Sequence, residues 1–510
     1  SVGPEQEYFL VDKAMFEQRP DLMLTGRTLF GAKPPKGQEL DDHYFGVIKP
    51  RVAAYMPDLN EELWKLGILA KTEHNEVAPA QHELAPIYTT TNIATDHNQL
   101  TMEIMQKVAS KHGLVCLLHE KPFAGVNGSG KHNNWSMATD SGINLLTPGE
   151  TPYENAQFLL FLCSVIKAVD DYQDLLRISV ATAGNDHRLG ANEAPPAVVS
   201  IFLGDELTAV LDAIENDSAY NGTEKTIMKL GVHVLPKFAR DTTDRNRTSP
   251  FAFTGNKFEF RMLGSSNSIA CANIMLNAAV AESLKEFAET LEKADSFEVS
   301  LHELIKSTIK QHKRIIFNGN GYDDSWIEEA TEKRGLHNLR TTPDALPKIL
   351  DKKNMDMLIS HKVFSAAEIR SRYEITLENY CKTVNIEGLT MIDLARRDII
   401  PAVEKYIKDL AETGAAKKAV DPSILCKHEV KLITKLSGLV DEMDDTVSRL
   451  ESSLIKYNTA EDVTEASCII RDDILQKMAE LRVMADEAET LTADTYWPFP
   501  SYSKLLFGVR

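Results

Sequence analysis

Cysteine is scarce in this chain. Six cysteines are spread over 510 residues, and no two of them form a C-x-x-C pair. A disulfide framework needs a much higher cysteine content in a much shorter chain. The sequence therefore predicts reduced cysteines and a cytoplasmic protein.

Long apolar runs and positive charge are also limited. The longest apolar run, residues 158–166, is far shorter than the ~20 residues that a transmembrane helix needs, so we expect a buried helix there. The 75 acidic residues outnumber the 56 basic ones and give a formal charge of −19. This charge argues against binding to nucleic acid or to an anionic membrane. It suits a protein that gathers carboxylates around divalent cations.

The chain has no initiator methionine. It opens with Ser-Val-Gly-Pro-Glu and enters a strand-like segment almost at once. We therefore expect that the natural protein extends further toward its N-terminus. The length of 510 residues is enough for about three domains with a large buried core.

The sequence changes in character near residue 265. Before that point, short β-rich runs alternate with helical patterns and with turns rich in glycine, proline and asparagine. This mixture predicts an α+β fold in which one sheet carries helices on a face. The predicted strands are 7–11, 114–118, 197–203 and 257–263, and the predicted helices are 93–111 and 155–176.

After residue 265 the pattern is almost wholly helical. Residues 266–293 are rich in alanine and suit a closely packed helix. Apolar residues recur every three or four positions between 436 and 457, and a second helix is predicted at 464–491. We expect these two helices to pair as a hairpin within one chain. The aromatic sequence at 496–500 should dock on a surface.

Two glutamates near the start, Glu5 and Glu7, are separated by one residue. Residues two apart on a strand project from the same face, so the two carboxylates would stand side by side, about 7 Å apart. Carboxylates this close repel each other unless water or cations separate them. A solvated strand edge and a metal site are both compatible with the pattern.

A second pair of glutamates, Glu76 and Glu83, brackets an apolar stretch that contains a proline. Such a stretch can turn and bring the second carboxylate back to the first. Hard divalent cations such as Mg²⁺ or Mn²⁺ take several oxygen ligands, and one loop of this length could supply two. Surface charges around a turn would give the same pattern.

A glycine-rich stretch, Gly-Val-Asn-Gly-Ser-Gly-Lys-His-Asn-Asn, covers residues 125–134. Glycine permits positive φ and a close approach of the backbone to a ligand. The stretch is not a P-loop, because His132 follows the lysine where that motif requires serine or threonine. His132 could complete a site made mostly of oxygen ligands, although a plain turn would also use these glycines.

Near residue 260, apolar residues alternate with Glu259 and Arg261, which is the period of a strand. The two charged side chains should therefore share a face. They could form an exposed ion pair of little energetic consequence, or a metal carboxylate beside a guanidinium that binds carboxylate or phosphate. The loops at 188–195 and 244–250 also carry arginines, for which solvation is the simplest interpretation.

The order of these motifs resembles the order found in glutamine synthetases. Along the chain come Gly-Pro-Glu-x-Glu, Glu-Val-Ala-Pro-Ala-Gln-x-Glu, Asn-Gly-Ser-Gly-x-His, Arg-Leu with a Glu-Ala-Pro loop, Asn-Arg-Thr-Ser and Phe-Glu-Phe-Arg. This resemblance covers about residues 1–270. The long helical region and the Trp-Pro-Phe-Pro end look like the large, type III branch of that family.

The resemblance implies a glutamine synthetase/guanido kinase-like catalytic domain, an antiparallel sheet with helices, at residues 1–290. A mostly helical region at 291–510 would pack on this core and at subunit contacts. Relatives of this kind also carry an N-terminal β-grasp domain, whose acidic residue deprotonates ammonium in the neighbouring subunit's site. Without that domain we expect the chain to bind metal and nucleotide but to synthesise little or no glutamine.

The resemblance also implies roles for single residues. The first metal ion would bind Glu7, Glu76 and Glu83, and the second, which grips the ATP phosphates, would bind Glu5, His132 and Glu259. Substrate glutamate would contact Arg188, Asn127 and Gly128, and the nucleotide would lie near Asn134 and Ser136. Arg247 and Arg261 would neutralise the transferring phosphoryl group, and Glu193 would close over the intermediate.

The implied reaction is the ATP-dependent ligation of ammonia to L-glutamate through γ-glutamyl phosphate, with two or three Mg²⁺ or Mn²⁺ ions. The implied partners are glutamate, ammonium, ATP and further copies of the chain, in a dodecamer of two hexameric rings. Two alternatives stay open: a related glutamate–amine ligase, and an inactive structural or regulatory protein. The presence of all six implied metal ligands argues against the second.

Overall fold

The computed structural model describes residues 1–191, 194–218, 220, 227–228, 238–239 and 249–509. The strands in chain order are β1 (Val2–Pro4), β2 (Gln6–Asp12), β3 (Ala70–Asn75), β4 (Gln81–Pro86), β5 (Leu114–Leu117), β6 (Gly130–Trp135), β7 (Ile201–Phe202), β8 (Ile227–Met228), β9 (Phe238–Ala239), β10 (Phe251–Phe253) and β11 (Phe258–Gly264).

The helices in chain order are α1 (Lys13–Phe16), α2 (Pro20–Thr25), α3 (Pro50–Lys65), α4 (Thr91–Lys111), α5 (Ala156–Asp171), α6 (Gln173–Ile178), α7 (Ala183–Arg188), α8 (Asp205–Glu215), α9 (Ala270–Glu292), α10 (Phe297–His312), α11 (Asp324–Glu328), α12 (Thr342–Ala345), α13 (Lys352–Ser360), α14 (Ala366–Leu394), α15 (Ile400–Val420), α16 (Lys427–Tyr457), α17 (Val463–Ile469), α18 (Leu475–Leu491) and α19 (Tyr502–Phe507). Within the described ranges, none of the helices combines the length and the apolar character that crossing a bilayer requires.

The strands form two larger sheets, so the expectation of a single sheet is wrong. One sheet has the order β1-β6-β11-β10-β7, the other has the order β3-β4-β2-β5, and β8 and β9 pair separately. The reason is a break at Glu5: the chain leaves β1, which pairs with β6, and enters β2, which pairs with β4 and β5. The Glu5 amide donates to the His132 carbonyl at 3.0 Å. Glu5 therefore lies where the two sheets join.

Most predicted elements are confirmed, with two differences. The strand expected at 197–203 is reduced to β7, because Val198 instead forms an isolated bridge with Asn338. The helix expected at 155–176 is divided into α5 and α6 at Tyr172, whose φ of −122° and ψ of 29° are not helical. The apolar run at 158–166 lies inside α5 and is largely buried, as expected.

Among the described residues, four apolar clusters hold the layers together. The largest joins the five-stranded sheet to helices that include α5 and α9. A second fills the C-terminal helical region, a third packs α3 and α4 on the four-stranded sheet, and a fourth lies beneath α19. Each large apolar side chain buried in this way contributes ~1.5–3 kcal/mol. The domain boundary predicted at residue 290 stays a prediction. Helix α10, which follows this boundary, packs on α5 and α9 of the preceding part.

The C-terminal helices pack as the sequence predicts. The apolar stripe of α16 is buried at Leu436, Val440, Met443, Val447, Leu450 and Leu454. The helix packs on α15 and α18 within the same chain, so the expected intramolecular pairing is confirmed. A π-helical turn at Ile470–Ile474 separates α17 from α18. The aromatic tail docks as expected, with Trp497 and Phe499 buried in the same apolar cluster.

Residues 19–32 connect the N-terminal part to the C-terminal helices. Arg19 and Asp21 form an ion pair of 2.5 Å in which both side chains are 1% exposed. Arg27 pairs with Glu387 of α14 at 2.6 Å, and Arg482 of α18 donates to the Thr28 carbonyl at 2.9 Å. The helical region therefore fixes the segment that leads into the irregular loop at residues 33–49.

Candidate active site

The centre of the site is β6, which lies between β1 and β11. Side chains alternate along this strand, as the pleat requires. Lys131, Asn133 and Trp135 are buried on one face, while His132 and Asn134 on the other face are only half-buried. The strand therefore presents an imidazole and an amide together on its more open face.

Glu5 contacts both of these side chains. Its Oε2 lies 3.1 Å from His132 Nδ1, and its Oε1 accepts a hydrogen bond from Asn134 Nδ2 at 3.0 Å. Burial favours the neutral carboxyl, but the hydrogen bond and charge of His132 outweigh it and lower the pKa of Glu5 to about 2. The same contact raises the pKa of His132 to about 9 against the effect of burial. A metal ligand must be neutral imidazole, so metal binding here would release that proton.

The expectation that Glu5 and Glu7 stand side by side on one strand is wrong. β1 ends at Pro4 and β2 begins at Gln6, so Glu5 belongs to neither strand. Glu7 lies on β2 in the other sheet, and its Oε2 accepts a hydrogen bond from the Gly130 amide of β6 at 2.6 Å. Glu5 therefore approaches β6 from the junction between the two sheets, whereas Glu7 approaches it from the four-stranded sheet.

Glu259 and Arg261 both lie on β11, next to β6. Glu259 is in register with Asn134, which places it beside the contacts of Glu5. Arg261 Nη2 lies 2.8 Å from Glu259 Oε2, and Lys257 Nζ lies 3.8 Å from the other oxygen. Arg261 is 6% exposed and Glu259 is 9% exposed. The interpretation as an exposed ion pair is therefore wrong, because both charges are buried next to the open face of β6.

A row of three side chains crosses the four-stranded sheet. Glu83 on β4 is in register with Glu7 on β2 and with His74 on β3. His74 Nε2 lies 2.8 Å from Glu83 Oε2, and His74 Nδ1 lies 3.5 Å from Glu76 Oε1. Ligand atoms of His74, Glu76 and Glu83 all lie within 4.8 Å of one another, a spacing that could hold a metal ion. The sheet register thus brings together the second group of carboxylates.

Electrostatics in this row favour a bound cation. Burial, followed by the charges of Glu7 and Glu83, raises the pKa of Glu76 to about 8. Burial also raises the pKa of Glu7, and the negative charge of Glu83 adds to this effect. The hydrogen bond that His74 donates to the Glu83 carboxylate raises the pKa of His74 to about 9, although burial opposes this. Carboxylates that repel one another in a buried site become fully ionised when a divalent cation lies between them.

Arg188 at the end of α7 is enclosed by the glycine-rich stretch. Its guanidinium donates to the carbonyls of Arg261 and Leu263, each at 3.2 Å, and the side chain is 3% exposed. A Cβ at Gly130 would overlap Arg188 Nη2, and a Cβ at Gly128 would lie 3.1 Å from Arg188 Cγ. The glycines therefore leave space for this arginine. Burial lowers the pKa of Arg188, and the charge of Glu7 opposes that effect.

Hydrogen bonds hold three further predicted residues in place around the site: Asn127, Asn134 and Ser136. Gln38 Nε2 donates to Asn127 Oδ1 at 2.7 Å, and Asn127 is 6% exposed. Ser136 Oγ lies 2.9 Å from both Asn144 Oδ1 and the Asn256 carbonyl oxygen, and its single proton can be donated to either of them. The roles of these residues in binding glutamate or nucleotide stay predictions, as does the role of Arg188.

Two predicted site residues, Glu193 and Arg247, lie outside the described residues. Among the described residues, the structure brings the other twelve predicted site residues together from β2, β4, β6, β11 and α7, from the residue between β1 and β2, from the turn after β3, and from the segments on either side of β6. A separate acidic cluster of Asp170, Asp171 and His312 is also present. There Arg314 Nε lies 2.9 Å from Asp170 Oδ1, so a cation of the protein already neutralises this cluster.

Sequence reasoning missed two residues of the site, His74 and Gln38. His74 stands near the end of β3, two positions before Glu76, and an imidazole so close in sequence to a candidate carboxylate ligand was a usable signal. Gln38 lies 89 positions from Asn127 in an irregular loop, so its contact follows from tertiary structure alone.

Comparison with known proteins identifies the family. The model of the glutamine synthetase catalytic domain matches residues 1–189, and that of the glutamine synthetase C-terminal domain matches residues 300–418. A glutamine synthetase of Butyrivibrio fibrisolvens is 52% identical over 515 residues, which cover 100% of this chain and 73% of that protein. The chain belongs to the glutamine synthetase family.

Two further glutamine synthetases extend the similarity through the helical region. A type-3 glutamine synthetase of Dictyostelium discoideum is 44% identical over 99% of this chain and 70% of its own length. A glutamine synthetase of Bacteroides fragilis is 44% identical over 99% of this chain and 71% of its own length. A solved structure described as GmaS without ligand aligns with 75% of this chain and 68% of its own, with a TM-score of 0.43 and 16% identity.

Membership in the glutamine synthetase family confirms the α+β catalytic fold with a helical C-terminal part. Members of this family are ligases of glutamine biosynthesis that use ATP and divalent metal ions. The chain is accordingly assigned to that class of enzyme.

Proposed function

We propose that this protein ligates ammonia to L-glutamate with ATP, forming L-glutamine, ADP and phosphate. The observation that carries the proposal is the meeting of two groups of metal-ligating side chains at the junction of the sheets. One group surrounds His132 on β6, and the other is the row of Glu7, Glu83 and His74 with Glu76 beside it. Family membership supports the same reaction.

The two groups are suited to two or three Mg²⁺ or Mn²⁺ ions. Glu7, Glu76 and Glu83 would hold one ion, and Glu5, His132 and Glu259 would hold another. The donor set supports this assignment, because hard divalent cations prefer carboxylate oxygens and Mn²⁺ also accepts imidazole. Bound ions would neutralise charge on the ATP phosphates.

The proposed reaction has two steps. An oxygen of the glutamate γ-carboxylate attacks the γ-phosphorus of ATP, and ADP leaves, which gives γ-glutamyl phosphate. Ammonia then attacks the carbonyl carbon, and phosphate leaves with the former carboxylate oxygen. Phosphoryl transfer depends on positioning and charge neutralisation more than on covalent help. Arg261, which is buried beside Glu259, would supply such charge.

Roles follow for the remaining residues. Arg188, Asn127 and Gly128 would bind glutamate, and Asn134 and Ser136 would lie near the nucleotide. Arg247 would assist Arg261, and Glu193 would close over the acyl phosphate to exclude water. We further propose a cytoplasmic dodecamer of two hexameric rings, which light scattering on the full-length protein would test by mass.

An isotope experiment tests the chemistry. The full-length protein is given ATP, ammonium and L-glutamate labelled with ¹⁸O in its γ-carboxylate. Because the phosphate leaves with a carboxylate oxygen, we expect one ¹⁸O atom in each phosphate released. Phosphate without label would contradict the γ-glutamyl phosphate intermediate. Replacing ammonium by small amines tests the alternative ligase, and phosphate release that depends only on amines would contradict glutamine synthesis.

A metal titration tests the site. We expect Glu76→Gln to weaken Mn²⁺ binding by more than about tenfold, because even changes around the ligand shell have effects of that size. Glu103→Gln is the matched control, since Glu103 is an exposed residue of α4 whose partner is Lys107. Equal Mn²⁺ affinity of Glu76→Gln and the wild type in calorimetry would contradict the assignment.

A further inference from the structure

We infer that Gln38 is a positioning residue for Asn127, and that the loop at residues 37–46 fixes the glutamate-binding end of the site. This inference rests on the function proposed above. It concerns a loop that none of the motifs includes, and it assigns no direct contact with substrate to Gln38.

Gln38 contacts Asn127 through both atoms of its amide. Gln38 Oε1 accepts a hydrogen bond from the Asn127 backbone amide at 2.8 Å, and Gln38 Nε2 donates to Asn127 Oδ1 at 2.7 Å. The two bonds close a ring between one side-chain amide and one residue. This arrangement fixes the backbone of Asn127 and the orientation of its side-chain amide together.

The fixed orientation has a chemical consequence. An asparagine amide can accept through Oδ1 and donate through Nδ2, and a rotation of 180° exchanges the two. Because Gln38 Nε2 is a donor, it holds Asn127 Oδ1 toward the loop and turns Nδ2 to the opposite side. A donor is the group that a carboxylate of glutamate requires. In the glutamate-binding role proposed for Asn127, Gln38 would therefore select the side-chain orientation that suits an anionic substrate.

The same loop is fixed at a second point, next to the carboxylates. His43 Nδ1 lies 2.6 Å from the Glu76 carbonyl, and Asn75 Nδ2 donates to the His43 carbonyl at 3.1 Å. The Tyr44 ring packs edge-on against His74, with 5.9 Å between ring centroids. Residues 37–46 thus bridge the glycine-rich stretch and the turn that carries Glu76. Long irregular loops with such fixed contacts are commonly functional.

The experiment measures steady-state kinetics of the full-length protein by phosphate release. Gln38→Ala should raise the KM for L-glutamate by about tenfold, the change expected for losing one or two hydrogen bonds. The KM for ATP should change by less than about twofold. In an Asn127→Ala background, Gln38→Ala should have no further effect, because Gln38 acts through Asn127.

A second variant separates positioning from folding. In Gln38→Glu, one carboxylate oxygen still accepts from the Asn127 amide, but the other faces Asn127 Oδ1 and repels it. We expect the same rise in glutamate KM with an unchanged unfolding midpoint. Gln18→Ala is the matched control, because Gln18 is an exposed glutamine that donates only locally, to the Ala14 carbonyl at 2.8 Å. It should leave both KM values unchanged.

The outcomes distinguish this inference from the proposed function. If the wild type releases no phosphate from ATP with glutamate and ammonium, the proposed function fails, and the role of Gln38 fails with it. If the wild type is active but both Gln38 variants keep its glutamate KM, only the role of Gln38 is overturned. An equal rise in the KM for glutamate and for ATP would also overturn it, since a general structural defect would act on both.

Discussion

At the scale of single residues, the ion pair of Arg27 with Glu387 is the clearest test of a buried charge. Two hydrogen bonds of 2.7 and 2.6 Å join them, and the Glu387 side chain is 1% exposed. Arg27 holds the pKa of Glu387 well below its usual value although burial opposes this. We expect Arg27→Ala to lower the free energy of unfolding by about 3–5 kcal/mol, because the buried carboxylate would lose both hydrogen bonds and keep only His187, whose Nε2 lies 3.8 Å away.

A matched pair on the surface gives the control for this prediction. Arg396 also binds Glu451 through two hydrogen bonds, donated by Nη1 and Nη2, but the side chains are 41% and 44% exposed. Arg396→Ala should cost less than about 1 kcal/mol, because solvent and salt screen exposed pairs. Denaturant unfolding of both variants measures the difference, and equal losses would contradict the argument from burial.

His119 provides a prediction about pH. Burial lowers its pKa to about 4, and its Nδ1 accepts a hydrogen bond from the Lys121 amide at 2.9 Å, as a neutral imidazole does. The unfolded chain binds a proton near pH 6.5, so unfolding takes up a proton between about pH 6.5 and 4. The contribution of neutral His119 to stability is complete above pH 6.5 and is lost as the pH falls toward 4.

The variant His119→Asn should remove this dependence. Asparagine Oδ1 can accept the same hydrogen bond without titrating, so the unfolding midpoint should fall less between pH 7 and pH 5 than in the wild type. His302→Asn is the control, because the His302 side chain is 57% exposed. If His119→Asn and the wild type lose stability in parallel, buried His119 does not contribute to acid sensitivity.

Single residues also show where prediction from sequence ends. The alternation around Glu259 correctly places Glu259 and Arg261 on one strand, but it gives no information about burial, which depends on the neighbouring strands. Glu5 and Glu7 fit a strand pattern equally well, yet the chain changes sheets between them. Period and spacing describe the local backbone, whereas pairing is decided by residues far away in sequence.

At the scale of elements, the long helices were the most predictable. Helix α16 carries its apolar stripe from Leu436 to its end at Tyr457, so over this part the pattern alone predicts both the helix and its buried face. The π-helical turns at Ala395–Ile399 and Ile470–Ile474 leave no comparable signal. A π-helical turn contains one extra residue and so changes which residues of the following helix face the core. Tertiary packing determines where along the helix this extra residue is accommodated.

A glycine in α16 gives a prediction at this scale. Gly438 is exposed in the middle of the helix, and a Cβ there would meet nothing within 4 Å. Gly438→Ala should raise the free energy of unfolding by about 0.5–1 kcal/mol, because alanine loses less backbone entropy in a helix. Gly388→Ala in α14 is the control, since its Cβ would lie 3.4 Å from Leu454 and the gain should be smaller. A loss of stability in Gly438→Ala would contradict the prediction.

At the scale of the whole molecule, the order of motifs was sufficient to predict the family. It did not predict which contacts hold the N-terminal part against the C-terminal helices. The contacts that unite N-terminal and C-terminal parts cross hundreds of residues, as between Arg27 and Glu387 or between Thr28 and Arg482. No local pattern specifies such contacts. The loop of Gln38 continues directly from this connection, which links the helical region to the candidate site through the chain itself.

The hydroxyl of Tyr502 contacts three separate segments at this junction. It lies 2.5 Å from Thr28 Oγ1, and it accepts hydrogen bonds from Arg482 Nη2 at 2.8 Å and from the Ala124 amide at 3.1 Å. Tyr502 is 1% exposed, so water cannot replace the lost contacts in Tyr502→Phe. We expect this variant to lower the free energy of unfolding by about 1–3 kcal/mol, the cost of leaving buried donors unsatisfied.

The control for this prediction removes a tyrosine hydroxyl from an exposed position. Tyr88→Phe removes an identical hydroxyl from a side chain that is 71% exposed, and its effect should stay within about 0.5 kcal/mol. Thermal unfolding of both variants beside the wild type measures the contrast. If the Tyr502 hydroxyl joins the two parts into one cooperative unit, its loss should lower the midpoint of a single transition. A wild-type midpoint in Tyr502→Phe would mean that apolar packing of α19 alone holds the parts together.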